Sequence, residues 1–156
     1  MAISKSLKSV LFAFATLFTA TACSAVATTQ ADTEHSERQK VLVTITSESS
    51  QTQGMALVLS GQMLAQGADL TILLCNEGGY IAVAGHQGES LKPFNLTPSQ
   101  QLAGLIERGA NVQLCALFLP NNEVSPEQIL PGVVGRAQPP EIARMMLSPE
   151  VRVFTF

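Results

Sequence analysis

The chain has 156 residues and a mass of 16.5 kDa, which allows one ordinary domain and little more. Hydrophobic residues at 46% against charged residues at 13% exclude a disordered polyelectrolyte. A net charge of −3 without a basic cluster argues against a nucleic-acid partner, and one Tyr with no Trp leaves no stacking platform. Two His and three scattered Cys are too few for a structural zinc site, and no cofactor is implied.

The first segment reads as an address. Lys5 and Lys8 give a positive start, and the apolar run Val10–Phe18 follows. That run is too short for a bilayer core, which needs about 20 residues, but it suits a signal peptide. Two cleavage patterns compete. Ala25-Val26-Ala27 fits the small-x-small rule and makes residues 1–27 the signal. Ala22-Cys23 resembles a bacterial lipoprotein box, with Ala20 where a Leu is usual, and would make residues 1–22 the signal and Cys23 a lipidation site. Either way the expectation is export to the periplasm or cell envelope, with membrane attachment only through a lipid at Cys23. Cleavage after residue 27 removes two lysines and no acid, leaving seven basic against twelve acidic side chains, net −5. Residues 28–39 are polar and charged, a solvated linker that carries His35. The folded domain is expected over residues 40–156, about 115 residues and enough for one core.

Strand and helix patterns alternate through that domain. Val41–Thr46 is β-rich and nearly all apolar, as a parallel strand covered on both faces should be. A polar turn over Ser47–Thr52 leads into a helix ending near Gln66, with Gly67 as its stop. Met55, Val58, Leu59 and Met63 share one face of this helix, and Ala56, Leu57 and Leu64 widen the apolar arc. So broad an arc implies deep burial or a second face covered by another subunit, hence a homo-oligomer. Leu70–Cys75 is a second buried strand, followed by Asn76-Glu77-Gly78-Gly79 and a short element over Tyr80–Ala84 whose type the pattern leaves open. Thr97-Pro98 opens a helix with Thr97 as cap and Pro98 in the first position; Leu102, Leu105 and Ile106 form its stripe, and Gly109 ends it. Val112–Leu117 is a third strand with Cys115 near its C-terminal end. Ser125-Pro126-Glu127-Gln128 resembles a capping box opening one or two helical turns, and Val133-Val134 is a short fourth strand. Pro140–Leu147 is a helix with Ile142, Met145 and Met146 on one face, and Val151–Phe154 is a last strand. This alternation predicts an α/β fold: a three-layer α/β/α sandwich with a mostly parallel sheet of about five strands.

Open α/β sheets place ligands at the carboxyl ends of their strands. Four segments fall there: the loop 47–53, Cys75-Asn76-Glu77, Cys115, and the loop 119–125. Neither glycine-rich phosphate motif is present, so the loop 47–53 could offer an oxyanion only backbone N–H groups. Glu48 and Glu77 read as solvated carboxylates, His86 has no second histidine nearby to share a metal, and Asn95-Leu96-Thr97 is an incidental glycosylation match in an exported bacterial chain. The Cys spacings contain no CxxC pair. A lone strand-end Cys is either a small buried hydrophobe or a reactive thiolate, and spacing does not choose between them.

The run Gly109-Ala110-Asn111-Val112-Gln113-Leu114-Cys115 after a Pro-capped helix resembles the cysteine strand of the DsrE-like (DsrE/DsrF-type) sulfur-relay family. Gly78-Gly79-Tyr80 and Leu130-Pro131-Gly132-Val133-Val134-Gly135 match in order and spacing, so the likeness covers residues 40–156. The resemblance implies a DsrE-like α/β fold, frequent homo-oligomers, and a sulfurtransferase-like cysteine that carries sulfane sulfur as a persulfide. By motif position that cysteine is Cys115. A sulfur donor or an acceptor thiol protein would be its partner. The export signal departs from relay members that pass sulfur between cytoplasmic proteins. The alternative is a non-enzymatic oligomeric binding or assembly module with a buried cysteine. In the usual doubly wound order the first strand lies between the second and third, which would set Cys75 and Cys115 two strand spacings apart and keep both thiols free.

Overall fold

The structure is a computed structural model that describes residues 38–86 and 88–156. The segment expected to be a signal, Cys23 and His35 lie outside the described residues. Five parallel strands form one sheet: β1 (Lys40–Ile45), β2 (Asp69–Leu74), β3 (Asn111–Leu114), β4 (Val133–Val134) and β5 (Val151–Thr155). Among the described residues four α-helices accompany them: α1 (Ser50–Ala65), α2 (Pro98–Glu107), α3 (Phe118–Asn122) and α4 (Pro139–Leu147). The three-layer α/β/α reading holds.

The strand order is β4-β3-β2-β1-β5. This overturns the expected order, because β2 and not β1 is the neighbour of β3. The chain steps in one direction from β1 to β4, and successive right-handed crossovers in one direction put their helices on one face. Accordingly, Ala56 and Leu57 of α1 and Leu102 and Leu105 of α2 join Val41, Val43, Ile45, Leu70, Ile72 and Leu74 in one large core. The return from β4 to β5 crosses the other face. There the alternate strand residues Leu42 and Leu73 meet Ala137 and Ile142 of the α4 segment in a smaller core. β1 and β2 are buried on both faces, which is why their sequences are almost continuously apolar.

The helix boundaries follow local chemistry. Thr97 and Gln100 form a reciprocal capping box at α2, with Pro98 in the first turn, as their sequence implies. Ser49 caps α1 through its side chain, so Ser50–Thr52 belong to the helix and not to the turn before it. The face of α1 is a second correction. Its buried residues are Gln53, Gly54, Ala56, Leu57, Ser60 and Gly61, while Met55, Val58 and Leu59 stand 52%, 47% and 44% exposed. Small residues bring α1 close to its neighbours, with Gly54 against Leu91 and Gly61 against Arg108, and that approach turns the larger apolar residues outward. Tyr80–Ala84 resolves largely into a 3-10 helix, Asn76–Ala82, and the capping box at Ser125 opens a single 3-10 turn, Pro126–Gln128.

Candidate active site around Cys115 and Cys75

β3 ends at Leu114, and Cys115 is the first residue beyond it. β2 ends at Leu74, and Cys75 is the first residue beyond it. Leu74 and Leu114 are ladder partners, so the two cysteines leave neighbouring strands side by side. The Cys115 backbone N–H donates to the Leu74 carbonyl at 2.8 Å, and the Cys75 N–H donates to the Ile45 carbonyl at 3.0 Å. Both thiols are free and half-buried. The expectation that two strand spacings part them therefore fails with the strand order from which it came.

Cys115 lies near enough to perturb the Cys75 thiol. Burial, then the hydrogen bond to Cys115 and the charge Cys115 can carry, push the Cys75 thiol up to about 12. Cys75 is thus a protonated thiol at neutral pH, slow to attack a reagent arriving from solution. It packs against the smaller core of Leu42, Leu73, Ala137 and Ile142. Cys115 touches the larger core on one side and on the other lines a cleft of about 400 Å³. Leu73, Ala137, Ile142, Ala143 and Met146 are among the other residues of that cleft, whose lining is entirely apolar.

The segments after the two cysteines are clamped together. Gly79 lies so near the Phe118 ring that a Cβ there would strike it, and Gly78 approaches the Ile45 carbonyl in the same way. Tyr80 packs edge-on against Phe118 with ring centroids 5.1 Å apart, and its hydroxyl donates to Asn122 Oδ1 at 3.0 Å. Gly78-Gly79 is therefore a close-packing device that seats this segment against the end of β1 and the Phe118 ring. α3 is a single short helix where the sequence reads as a loop over 119–125, because Pro120 and two Asn mask its pattern.

The other sequence candidates stand apart from this centre. Glu48 and Glu77 are exposed, in keeping with solvated carboxylates. At the start of α1 the Ser49 N–H donates to the Ser47 hydroxyl and the Thr52 N–H to the Ser49 hydroxyl, so donors there are already engaged. His86 is exposed, its ring 5.4 Å from that of Tyr80, and its carbonyl accepts from the Ser99 hydroxyl at 2.6 Å. No group of metal-ligating side chains occurs among the described residues. The strand-end position of Cys115 follows from the sequence, but the cleft does not. Ile142 and Met146 were assigned to one helix face, yet nothing in the chain's pattern says which strand end that face covers.

No family model and no curated protein matches the chain. Solved structures do. The YchN protein of E. coli is 22% identical with a TM-score of 0.61, and the match covers 77% of this chain and all of that one. MTH1491 of Methanobacterium thermoautotrophicum, a protein of unknown function, is 12% identical with a TM-score of 0.61, covering 75% of this chain and 98% of that one. At these identities the likeness speaks to architecture alone, and the architecture is the DsrE-like fold.

Proposed function

We propose that this chain is a sulfur-relay protein of the cell envelope that carries sulfane sulfur as a persulfide on Cys115. The observation that carries the reading is the position of Cys115: half-buried at a strand end, with its side chain lining a cleft rather than sealed in the core. The Cys115 thiolate attacks the sulfane sulfur of a donor, forming an Sγ–S bond while the donor's remainder leaves with the electron pair. An acceptor thiolate then attacks the terminal sulfur, and Cys115 leaves as thiolate. The apolar cleft suits an uncharged or partly apolar donor, or an acceptor segment with an apolar side chain beside its thiol.

The test is an intact mass after anaerobic treatment with inorganic polysulfide, made on the Cys23→Ser/Cys75→Ser protein so that Cys115 is the one thiol left, with Cys115→Ser added in the same background as the control. A gain of about 32 Da per sulfur atom is expected, and Cys115→Ser should gain nothing. An adduct that persists in Cys115→Ser removes Cys115 from the role.

The rival reading, a binding module with an inert cysteine, is favoured by one fact. Among the described residues no acid or base side chain hydrogen-bonds Cys115. The envelope location rests on residues 1–27. Finding the first residue of the mature chain at Cys23, or after Ala27, distinguishes a lipid-anchored from a free protein. Self-association rests on α1, whose Met55 and Val58 lie beside Phe94 on an exposed apolar surface.

A further inference from the structure

We propose that Cys75 is the resolving thiol of this site, closing a Cys75–Cys115 disulfide between the ends of β2 and β3 and releasing the sulfane sulfur as sulfide. The inference rests on the persulfide reading above and adds the fate of the sulfur.

Geometry carries it. The Leu74–Leu114 ladder pair is the last before the two cysteines, and the Cys115 N–H remains bonded to the Leu74 carbonyl at 2.8 Å. Neighbouring strands run about 4.8 Å apart, inside the Cα range of roughly 4.4–6.8 Å that a disulfide spans. Side chains alternate along both strands. Leu73 and Cys75 face the α4 side, and Cys115, with Leu73, lines the cleft on that side. The two thiols are free and close enough for Cys115 to perturb the Cys75 thiol.

The step balances without an outside oxidant. In the persulfide, Cys115 Sγ is bonded to a terminal sulfur that carries a negative charge. Cys75 gives its proton to that terminal sulfur, and Cys75 Sγ attacks Cys115 Sγ. The Sγ–Sγ bond forms, the Sγ–S bond breaks, and the terminal sulfur leaves as hydrosulfide with the electron pair. The sulfane sulfur is reduced to sulfide while the two cysteine sulfurs are oxidised to a disulfide. Cys75 suits both parts: it is held as a thiol and so brings the proton, and a thiol of high pKa makes a strong nucleophile once ionised. Contact distance supplies the high effective concentration that offsets its small thiolate fraction. An external dithiol would reset the site, becoming a disulfide itself as it reduces the pair.

The full chain carrying Cys23→Ser, and its Cys75→Ser and Cys75→Ala variants in the same background, are charged anaerobically with inorganic polysulfide, desalted, and followed by intact mass and sulfide assay. The Cys23→Ser protein should release roughly one sulfide per chain and end about 2 Da lighter than its reduced form. A non-reducing digest should then join the segment carrying Cys75 to that carrying Cys115. Both variants should keep the added 32 Da or so and release sulfide only when an external thiol is supplied. If the Cys23→Ser protein holds its persulfide as stably as the variants, the resolving role is lost while the persulfide reading stands. If the variants gain no sulfur at all, the persulfide reading falls and takes this inference with it.

Discussion

The Tyr80 hydroxyl donates to Asn122 Oδ1 at 3.0 Å, joining the 3-10 helix that follows Cys75 to the short helix that follows Cys115. One side-chain bond thus bridges the two segments that leave the thiols, and the Tyr80–Phe118 ring contact lies beside it. Tyr80→Phe keeps the ring and removes the bond. It should cost about 1 kcal/mol in urea unfolding and raise hydrogen exchange in residues 118–122. A variant as stable and as protected as the parent would show that the bond does not hold the segments.

The two thiols should differ sharply toward an alkylating reagent. With Cys75 pushed up to about 12, iodoacetamide at pH 7.5 should modify Cys115 at least tenfold faster. Peptide mapping of singly labelled protein reads this directly. Equal labelling would contradict the environment described for Cys75.

Cys75 also gives stability a pH dependence of known sign. Its thiol ionises near 9.0 in ordinary solvent and near 12 in the fold, so between those values the unfolded chain has lost a proton that the native chain keeps. Unfolding is therefore favoured as pH rises through that window. In the presence of reductant, the urea midpoint of the parent should fall more steeply above pH 9 than that of Cys75→Ser. Parallel curves for the two proteins would be inconsistent with the shift.

Gly78 has no room for a methyl group, because a Cβ there would meet the Ile45 backbone, which cannot turn aside as a side chain can. Gly78→Ala should cost roughly 1–3 kcal/mol and loosen the segment that follows Cys75. Gly104, with open space around its missing Cβ, is the control. Gly104→Ala in the middle of α2 should be neutral or stabilising by up to about 1 kcal/mol. Denaturant midpoints of the two variants should move in opposite directions or differ by more than the error of the fit.

Self-association is expected to run through α1. Val58 is 47% exposed and Phe94 72%, and both line the same surface grooves. Light scattering at micromolar concentration should give a multiple of the chain mass, and Val58→Glu should lower it. A monomeric mass for the parent chain would remove α1 from this role.

Much of this architecture could be read from residue patterns. Pro98 behind a Thr cap, Gly109 at positive φ after α2, and the two-residue strand Val133–Val134 all stand where local chemistry put them. Strand order could not be read the same way. Apolar runs report that a strand is covered, not which strand lies beside it, so the separation of Cys75 and Cys115 rested on an assumed topology. The face of α1 failed for a related reason. Periodicity counted Met55, Val58 and Leu59 as core, whereas close packing selected the stripe of small residues between them. Of the candidate site, the strand-end placement of Cys115 is legible in the sequence. Its thiol neighbour and its cleft are products of tertiary structure.

β1 is completed from far along the chain. Its outer edge pairs with β5, and Thr46 gives both its backbone N–H, at 2.8 Å, and its hydroxyl, at 3.0 Å, to the carbonyl of Phe156, a separation of 110 residues. During synthesis β1 to β4 can assemble in order, each beside the last, while the edge of β1 stays open until β5 emerges. The long-range pairing makes this closure a late and slow event. Until then an apolar strand with unpaired backbone groups is presented to other nascent copies or to a chaperone. A chain interrupted before residue 151 would keep that edge permanently, and its fate should be aggregation rather than a slightly weaker fold.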